Sequence, residues 1–275
     1  MINPQTKTEQ LLFCTTRIAT NTGTGTGFFF QFQLDEKQVM PVLVTNKHVV
    51  ENTGEISFSV HIKENGIPTN ENILITHRAQ RFDHPTLDLC CTLVNPLFMQ
   101  FQAQTGKEIF YLPMPESLIW THSDLTNLSA IEDVVMVGYP IGLWDEVHNL
   151  PLFRKGVTAT HPAIDFKGQK HGVIDAACFP GSSGSPICIL NEGGYVDRQG
   201  NTNLGGGRFG LIGILFAGPI HNAQGEIIVQ EIPTQQVTSA NTPMMINLGY
   251  YIKADQLLEL KKVVFRHLGI GGIDE

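Results

Sequence analysis

Phe179-Pro180-Gly181-Ser182-Ser183-Gly184-Ser185-Pro186, followed directly by the apolar run 187–190, is the stretch on which the reading of this chain turns. A serine is a poor nucleophile until a base removes its proton and hydrogen-bond donors stabilise the oxyanion that follows. Glycines on both sides of Ser183 let the backbone turn sharply and let another chain approach closely. The same turn can aim the amides of Gly181 and Ser183 at one point, as an oxyanion hole requires. Taken alone, the stretch fits a flexible Gly/Ser loop equally well. It is not a G-x-S-x-G elbow, because Ser185 fills the last position and no strand-to-helix context follows.

A nucleophilic serine needs a base. Of ten histidines, His48 stands out by context, at the end of the apolar run Leu43-Val44-Thr45-Asn46-Lys47-His48-Val49-Val50. Its valine neighbours pack it at a strand end, whereas a lone histidine is more often a surface or structural residue. The base in turn needs a carboxylate to hold its tautomer and stabilise its charged form. Asp88 heads the apolar run Leu87-Asp88-Leu89-Cys90-Cys91-Thr92-Leu93-Val94, where a carboxylate is costly to bury without a partner. Asp83 is the rival, on the loop side of Pro85. The order His–Asp–Ser along the chain excludes the orders of subtilisins and α/β hydrolases.

Composition sets the bounds. The 275 residues are 42% hydrophobic and 16% charged, ordinary for a folded globular chain and too apolar for disorder. A formal charge of −8 with no Lys/Arg run argues against nucleic acid and anionic membrane as partners. Cys14, Cys90, Cys91, Cys178 and Cys188 are odd in number and lack C-x-x-C spacing, so neither a disulfide framework nor a metal site is indicated. His77, Asp83 and His84 match no compact ligand set, and the run Gly23-Thr24-Gly25-Thr26-Gly27 lacks the G-K-[ST] of a phosphate loop. No cofactor and no metal are expected. Without a signal-peptide pattern or an 18-residue apolar stretch, the expected location is cytoplasmic.

Short β-branched and aromatic runs at 27–34, 39–45, 56–62, 87–94, 134–138, 154–160, 172–175, 186–190 and 209–216 alternate with Gly, Pro, Asn and Asp, which predicts an all-β fold. Only residues 253–268 show a clear helical face, closed by Gly269. Residues 111–131, rich in Pro, Ser, Thr and Asn, mark a linker between halves, and 191–207 reads as a solvated hairpin loop.

These motifs resemble those of the trypsin-like serine peptidases, over about residues 22–252, and most closely the bacterial branch with HtrA-type and glutamyl-endopeptidase-like enzymes. Gly23–Phe29 looks like the entry to the first barrel of that family, Val44–Val50 like its base motif and Leu87–Cys90 like its acid motif. Val135–Leu143 with Lys155–Ala159 resembles the opening of the second barrel. Asp175-Ala176-Ala177 before Pro180-Gly181-Ser182-Ser183-Gly184 is close to the HtrA-type nucleophile region. The resemblance implies two six-stranded antiparallel β-barrels with a C-terminal helix. Residues 10–115 would carry His48 and Asp88, 116–252 would carry Ser183, 253–268 would form a helix packed on the protease domain, and 269–275 a flexible tail. It implies a serine endopeptidase acting on protein or peptide substrates through Ser183, His48 and Asp88.

The family pattern also places a specificity pocket near Ala177, Cys178, Phe179 and Pro180, faced by Phe216, Ala217 and Gly218. Ala177 stands where trypsins carry a carboxylate, and Leu215 where glutamate-specific relatives carry a histidine, so an apolar or small residue before the scissile bond is expected. Ser182 replaces the aspartate that receives a new N-terminus in digestive proteases, which argues against that activation. No PDZ-sized segment follows residue 270. The alternatives are a protease-like binding or scaffold module, or a latent protease switched on by a regulatory partner within a larger defence or signalling system.

Overall fold

The computed structural model describes residues 1–51, 55–78, 80–227, 238–245 and 247–271. Residues 272–275 of the expected tail lie outside them. Nine strands build the first half: β1 (Thr15–Ala19), β2 (Thr24–Gln33), β3 (Val39–Thr45), β4 (Ile56–Glu64), β5 (Ile67–His77), β6 (Arg81–Asp83), β7 (Cys90–Leu93), β8 (Glu108–Phe110) and β9 (Met114–Pro115). They pair in the order β5-β4-β1-β2-β3-β7-β6, with β8 added to β4 and β9 to β2. A six-stranded barrel was expected here. The ladders instead form an open path, because among the described residues its end strands β5 and β6 pair only with β4 and β7 and not with each other.

The second half matches the barrel expectation. Here β10 (Asp133–Gly138), β11 (Leu152–Thr158), β12 (His171–Asp175), β13 (Pro186–Asn191), β16 (Arg208–Ala217) and β19 (Leu248–Lys253) close in the order β10-β11-β12-β19-β16-β13. The 191–207 loop forms the hairpin of β14 (Gly194–Val196) and β15 (Thr202–Leu204), and β17 (Ile220–Ile227) pairs with β18 (Thr238–Met245). Within 111–131 the chain makes β9 and a short helix, His122–Thr126, opened by a capping box between Thr121 and Asp124.

Alternation along β2 explains how the halves join. Phe29 points with Ile18, Leu43, Phe58 and Val60 into the interior of the first half. Phe28, Phe30 and Phe32 point the other way, into a cluster that also contains Cys188, Leu211, Ile214 and Ile252 of the barrel. A strand buried on both faces reads as a continuous apolar run, as 27–34 does. The barrel keeps its own interior of Val134, Met136, Ile174, Ile187 and Ile212.

The chain contains more helix than its periodicity predicts. Asn95–Thr105 is helical, with a proline in its first turn and Gly106 as left-handed C-cap, yet it buries only Phe98 and so leaves no amphipathic signature. The C-terminal helix runs Gln256–Leu268 and ends on Gly269 at φ 67°. Leu257, Leu260, Val264 and Phe265 enter the shared cluster beside Phe30 and Phe82 of the first half, and His267 meets the Phe82 ring edge-on at 5.3 Å. The helix thereby braces both halves.

Leu260 is fully buried in that cluster. Leu260→Ala is expected to lower unfolding free energy by about 2–5 kcal/mol in urea titration; a loss below about 1 kcal/mol would contradict the bracing role.

Candidate active site

Antiparallel register delivers His48 and Asp88 to one edge. β3 pairs with β7 so that Thr45 lies opposite Cys90. Two residues further, the chain leaving β3 and the chain entering β7 still face each other. A 3-10 turn over Lys47–Val49 then swings His48 back toward Asp88. The His48 Nδ1 and Asp88 Oδ2 atoms lie 2.5 Å apart, and the His48 amide donates to Asp88 Oδ1 at 3.1 Å. Asn46, fully buried, donates from Nδ2 to the Asp88 carbonyl at 2.7 Å, and Lys47 Nζ donates to the His84 carbonyl at 2.5 Å. The rival Asp83 is engaged by Arg81 at 2.7 Å, and His84 Nδ1 accepts the Thr86 and Leu87 amides.

This pair has a defined polarity. Burial works to raise the Asp88 carboxyl, but the hydrogen bond and charge of His48, with the His48 and Lys47 amides, outweigh it and hold the group below its ordinary value. An ionised carboxylate accepts, so the imidazole donates from Nδ1. The imidazole is 43% exposed and can be reached from solvent.

Ser183 lies on a tight loop between β12 and β13. The Ser182 amide donates to the Phe179 carbonyl at 3.0 Å, with Pro180 and Gly181 at the centre of the turn and Gly181 at φ +88°. Pro at the second place and a positive φ at the third are the signature of a type II turn. Gly184 sits at φ +90°, and a Cβ there would land on the Thr26 carbonyl oxygen. Both positions require glycine. The Pro180 carbonyl is taken by the Ile141 amide at 2.5 Å and the Gly181 carbonyl by Thr26 Oγ1 at 2.9 Å. Among the described residues, the Gly181 and Ser183 amides donate to no protein acceptor.

Thr26 joins the two arms. Its amide donates to the Ser183 carbonyl at 2.8 Å, and its own carbonyl accepts the Thr45 hydroxyl at 2.8 Å, three residues before His48. The Ser183 loop is therefore seated against the end of β3. Among the described residues no hydrogen bond links Ser183 Oγ to the His48 ring. Sequence reading took the Gly-Thr-Gly-Thr-Gly run only as a strand entry and missed Thr26, Thr45 and Asn46 as the residues that hold the site. Their signal was small hydroxyl and amide side chains among glycines and valines, at strand ends where backbone groups must find partners.

The residues expected around a pocket lie in two stretches, 177–180 leading into the Ser183 turn and 216–218 at the end of β16. Ala177 is half-buried and Cys178 buried, its sulfur packed against Gly249, and burial pushes the thiol up to about 11. Phe179 and Pro180 are exposed. Phe216 is half-buried with its ring 4.6 Å from that of His171, Ala217 pairs with Tyr250, and Gly218 follows at the end of β16. All five cysteines are free and buried. Among the described residues no group of three His, Cys, Asp or Glu is arranged to hold a metal, and no helix is long and apolar enough to cross a membrane.

A family model described as Trypsin-like peptidase domain matches residues 25–196. No curated protein matches the sequence. Similar solved structures include the Rv3671c protease of M. tuberculosis H37Rv as an inactive-form serine-to-alanine mutant, 14% identical, covering 96% of this chain and 97% of that one with TM-score 0.46. A second Rv3671c protease structure, also an inactive form, is 16% identical over 92% of this chain and 90% of that one, with TM-score 0.44. The scabies mite inactivated protease paralogue S-I1 is 10% identical over 94% and 96%, with TM-score 0.44.

The lowered Asp88 carboxyl sets a pH dependence. A group whose folded value lies below its unfolded value stabilises fully above the unfolded value and loses that contribution as pH falls through the folded one. The urea-stability gap between wild type and Asp88→Asn should therefore be constant near neutrality and close as pH drops below the ordinary carboxylate range. A gap that stays level into strong acid would refute the assigned polarity.

Proposed function

The chain belongs to the trypsin-like peptidase domain family, and we propose that it is a serine endopeptidase with Ser183 as nucleophile, His48 as base and Asp88 as the carboxylate that orients it. In this reading residues 10–115 supply base and carboxylate, 116–252 supply the nucleophile, and 253–268 brace the two. The observation that carries the proposal is the 2.5 Å His48–Asp88 contact, set where Thr26 ties the Ser183 loop to the first half. The free, buried cysteines are consistent with a reducing, cytoplasmic setting.

The chemistry follows from the atoms available. Ser183 Oγ attacks the peptide carbonyl carbon while His48 Nε2 takes its proton. The carbonyl oxygen gains the negative charge and is met by the Gly181 and Ser183 amides. Collapse breaks the C–N bond, His48 returns the proton to the leaving amine, and Ser183 is left as an ester. Water, deprotonated by the same nitrogen, then releases the acid and restores the hydroxyl. Asp88 stays ionised throughout and stabilises the transient imidazolium. The proposed substrate is an extended peptide that adds a strand along 216–218, past Phe216, Ala217 and Gly218, with its side chain toward Ala177, Cys178, Phe179 and Pro180.

A latent enzyme awaiting a protein partner is the second reading. The missing Ser183–His48 hydrogen bond favours it, although such bonds often tighten only once substrate is bound.

A fluorophosphonate probe read by intact mass separates the two. Purified wild type should take one label on Ser183, Ser183→Ala none, and His48→Ala should label at least about 10²-fold more slowly. Equal labelling of wild type and Ser183→Ala would sink the assignment; no labelling of wild type without an added partner would favour latency.

A further inference from the structure

β11 carries a cation that its surroundings do not balance. In the ladder with β10, Arg154 lies opposite Met136. Opposed residues of an antiparallel pair project to the same face. Met136 is 2% exposed inside the barrel core with Cys178, so Arg154 is sent to the interior face. The ladder with β12 pairs Val157 with Asp175 and Thr158 with Ile174. Continued three places, that register sets Arg154 across from Cys178, at the root of the loop leading to Ser183.

The guanidinium lies over the Phe179 ring, 4.8 Å from its centre. Its Nη1 is buried with no hydrogen-bond partner, and among the described residues Arg154 forms no ion pair. Its neighbours show what balance looks like. Lys155, on the outer face, is paired with Asp133 at 2.8 Å, and the part-buried Arg208 is held by the Glu132 carboxylate at 2.5 Å. A partly buried cation without a counter-charge, with one nitrogen shut off from solvent and unpaired, costs free energy. Asp175 acts electrostatically on Cys178, but burial and Cys178 are what act on Arg154.

We propose that Arg154 is a specificity residue which receives the carboxylate of an Asp or Glu side chain immediately before the scissile bond. The proposal rests on the peptidase reading and adds its substrate class. Ala177 next to Cys178 carries only a methyl side chain, the guanidinium is placed beside the Phe179 ring, and its planar fork suits two-point binding of a carboxylate. This replaces the apolar preference that Ala177 and Leu215 imply by themselves.

The test measures binding, so that it stands apart from chemistry. Catalytically silenced Ser183→Ala protein is titrated calorimetrically with peptides identical except for Glu, Gln or Phe at the position before the scissile bond. Glu is expected to bind about tenfold more tightly than Gln, the scale of one charge-assisted contact. Adding R154Q should bring the two within about twofold, and R154K, which keeps charge but loses the fork, should fall between. Thermal midpoints control for folding, and if R154Q does not fold the R154K series decides. Equal binding of Glu and Gln, tighter binding of Phe, or a Glu preference that survives R154Q would overturn the proposal. Loss of fluorophosphonate labelling would instead overturn the peptidase reading and leave the Glu/Gln comparison interpretable.

Discussion

Thr26 is the residue through which the two halves meet at the site. One side chain and one peptide unit make four hydrogen bonds: to the Ser183 carbonyl, to the Gly181 carbonyl, from the Tyr139 amide and from the Thr45 hydroxyl. Each is worth only about 1 kcal/mol net, yet each unmade partner would be a buried polar group. Tyr139 follows the end of β10, Gly181 and Ser183 belong to the loop between β12 and β13, and Thr45 ends the strand leading to His48. A threonine supplies what this junction needs, since its hydroxyl both donates and accepts from one position. Serine would offer the same hydroxyl with a looser χ1.

The clamp can be small because the apolar seam behind it is large. Phe28, Phe30 and Phe32 on one side and Leu211, Ile214 and Ile252 on the other hold the halves together, and the C-terminal helix closes the seam. Burial is strong but indifferent to direction. It brings the halves into contact without fixing their relative alignment. The directional hydrogen bonds of Thr26 supply that alignment, with Gly184 giving the clearance for Ser183 to approach. Work is thus divided between a greasy seam for affinity and a polar junction for geometry.

The same division explains what the sequence made legible. Strands with strong β-branched and aromatic runs, such as β2, β3, β10 and β13, were visible, because burial writes itself as periodicity. The His–Asp–Ser order and the glycines around Ser183 were visible because chemistry restricts residue type. β5 was not, since its alternating exposure places Asn70, Glu71 and Asn72 in a solvent-facing strand. The helix Asn95–Thr105 was missed for lack of a buried stripe. Thr26 and Asn46 could be seen as residues but not as clamps, because the groups they satisfy lie up to 155 residues away in the chain. Arg154 was hidden for the opposite reason: a cation in a strand reads as surface until the register turns it inward.

The shape of the Ser183 loop is also independent of the ion pair that a new N-terminus could make with an acidic neighbour. Ser182 occupies that neighbouring place, 1% exposed, with its hydroxyl unpartnered. The loop is held instead by backbone contacts: Ile141 to Pro180, Thr26 to Gly181 and Ser183, Gly184 to Leu215, and Leu215 to Ser185. Thr26 and Leu215 belong to strands, and Ile141 to the 3-10 turn Pro140–Gly142 that follows β10. A loop set by the folded chain itself needs no cleavage event to acquire its turn.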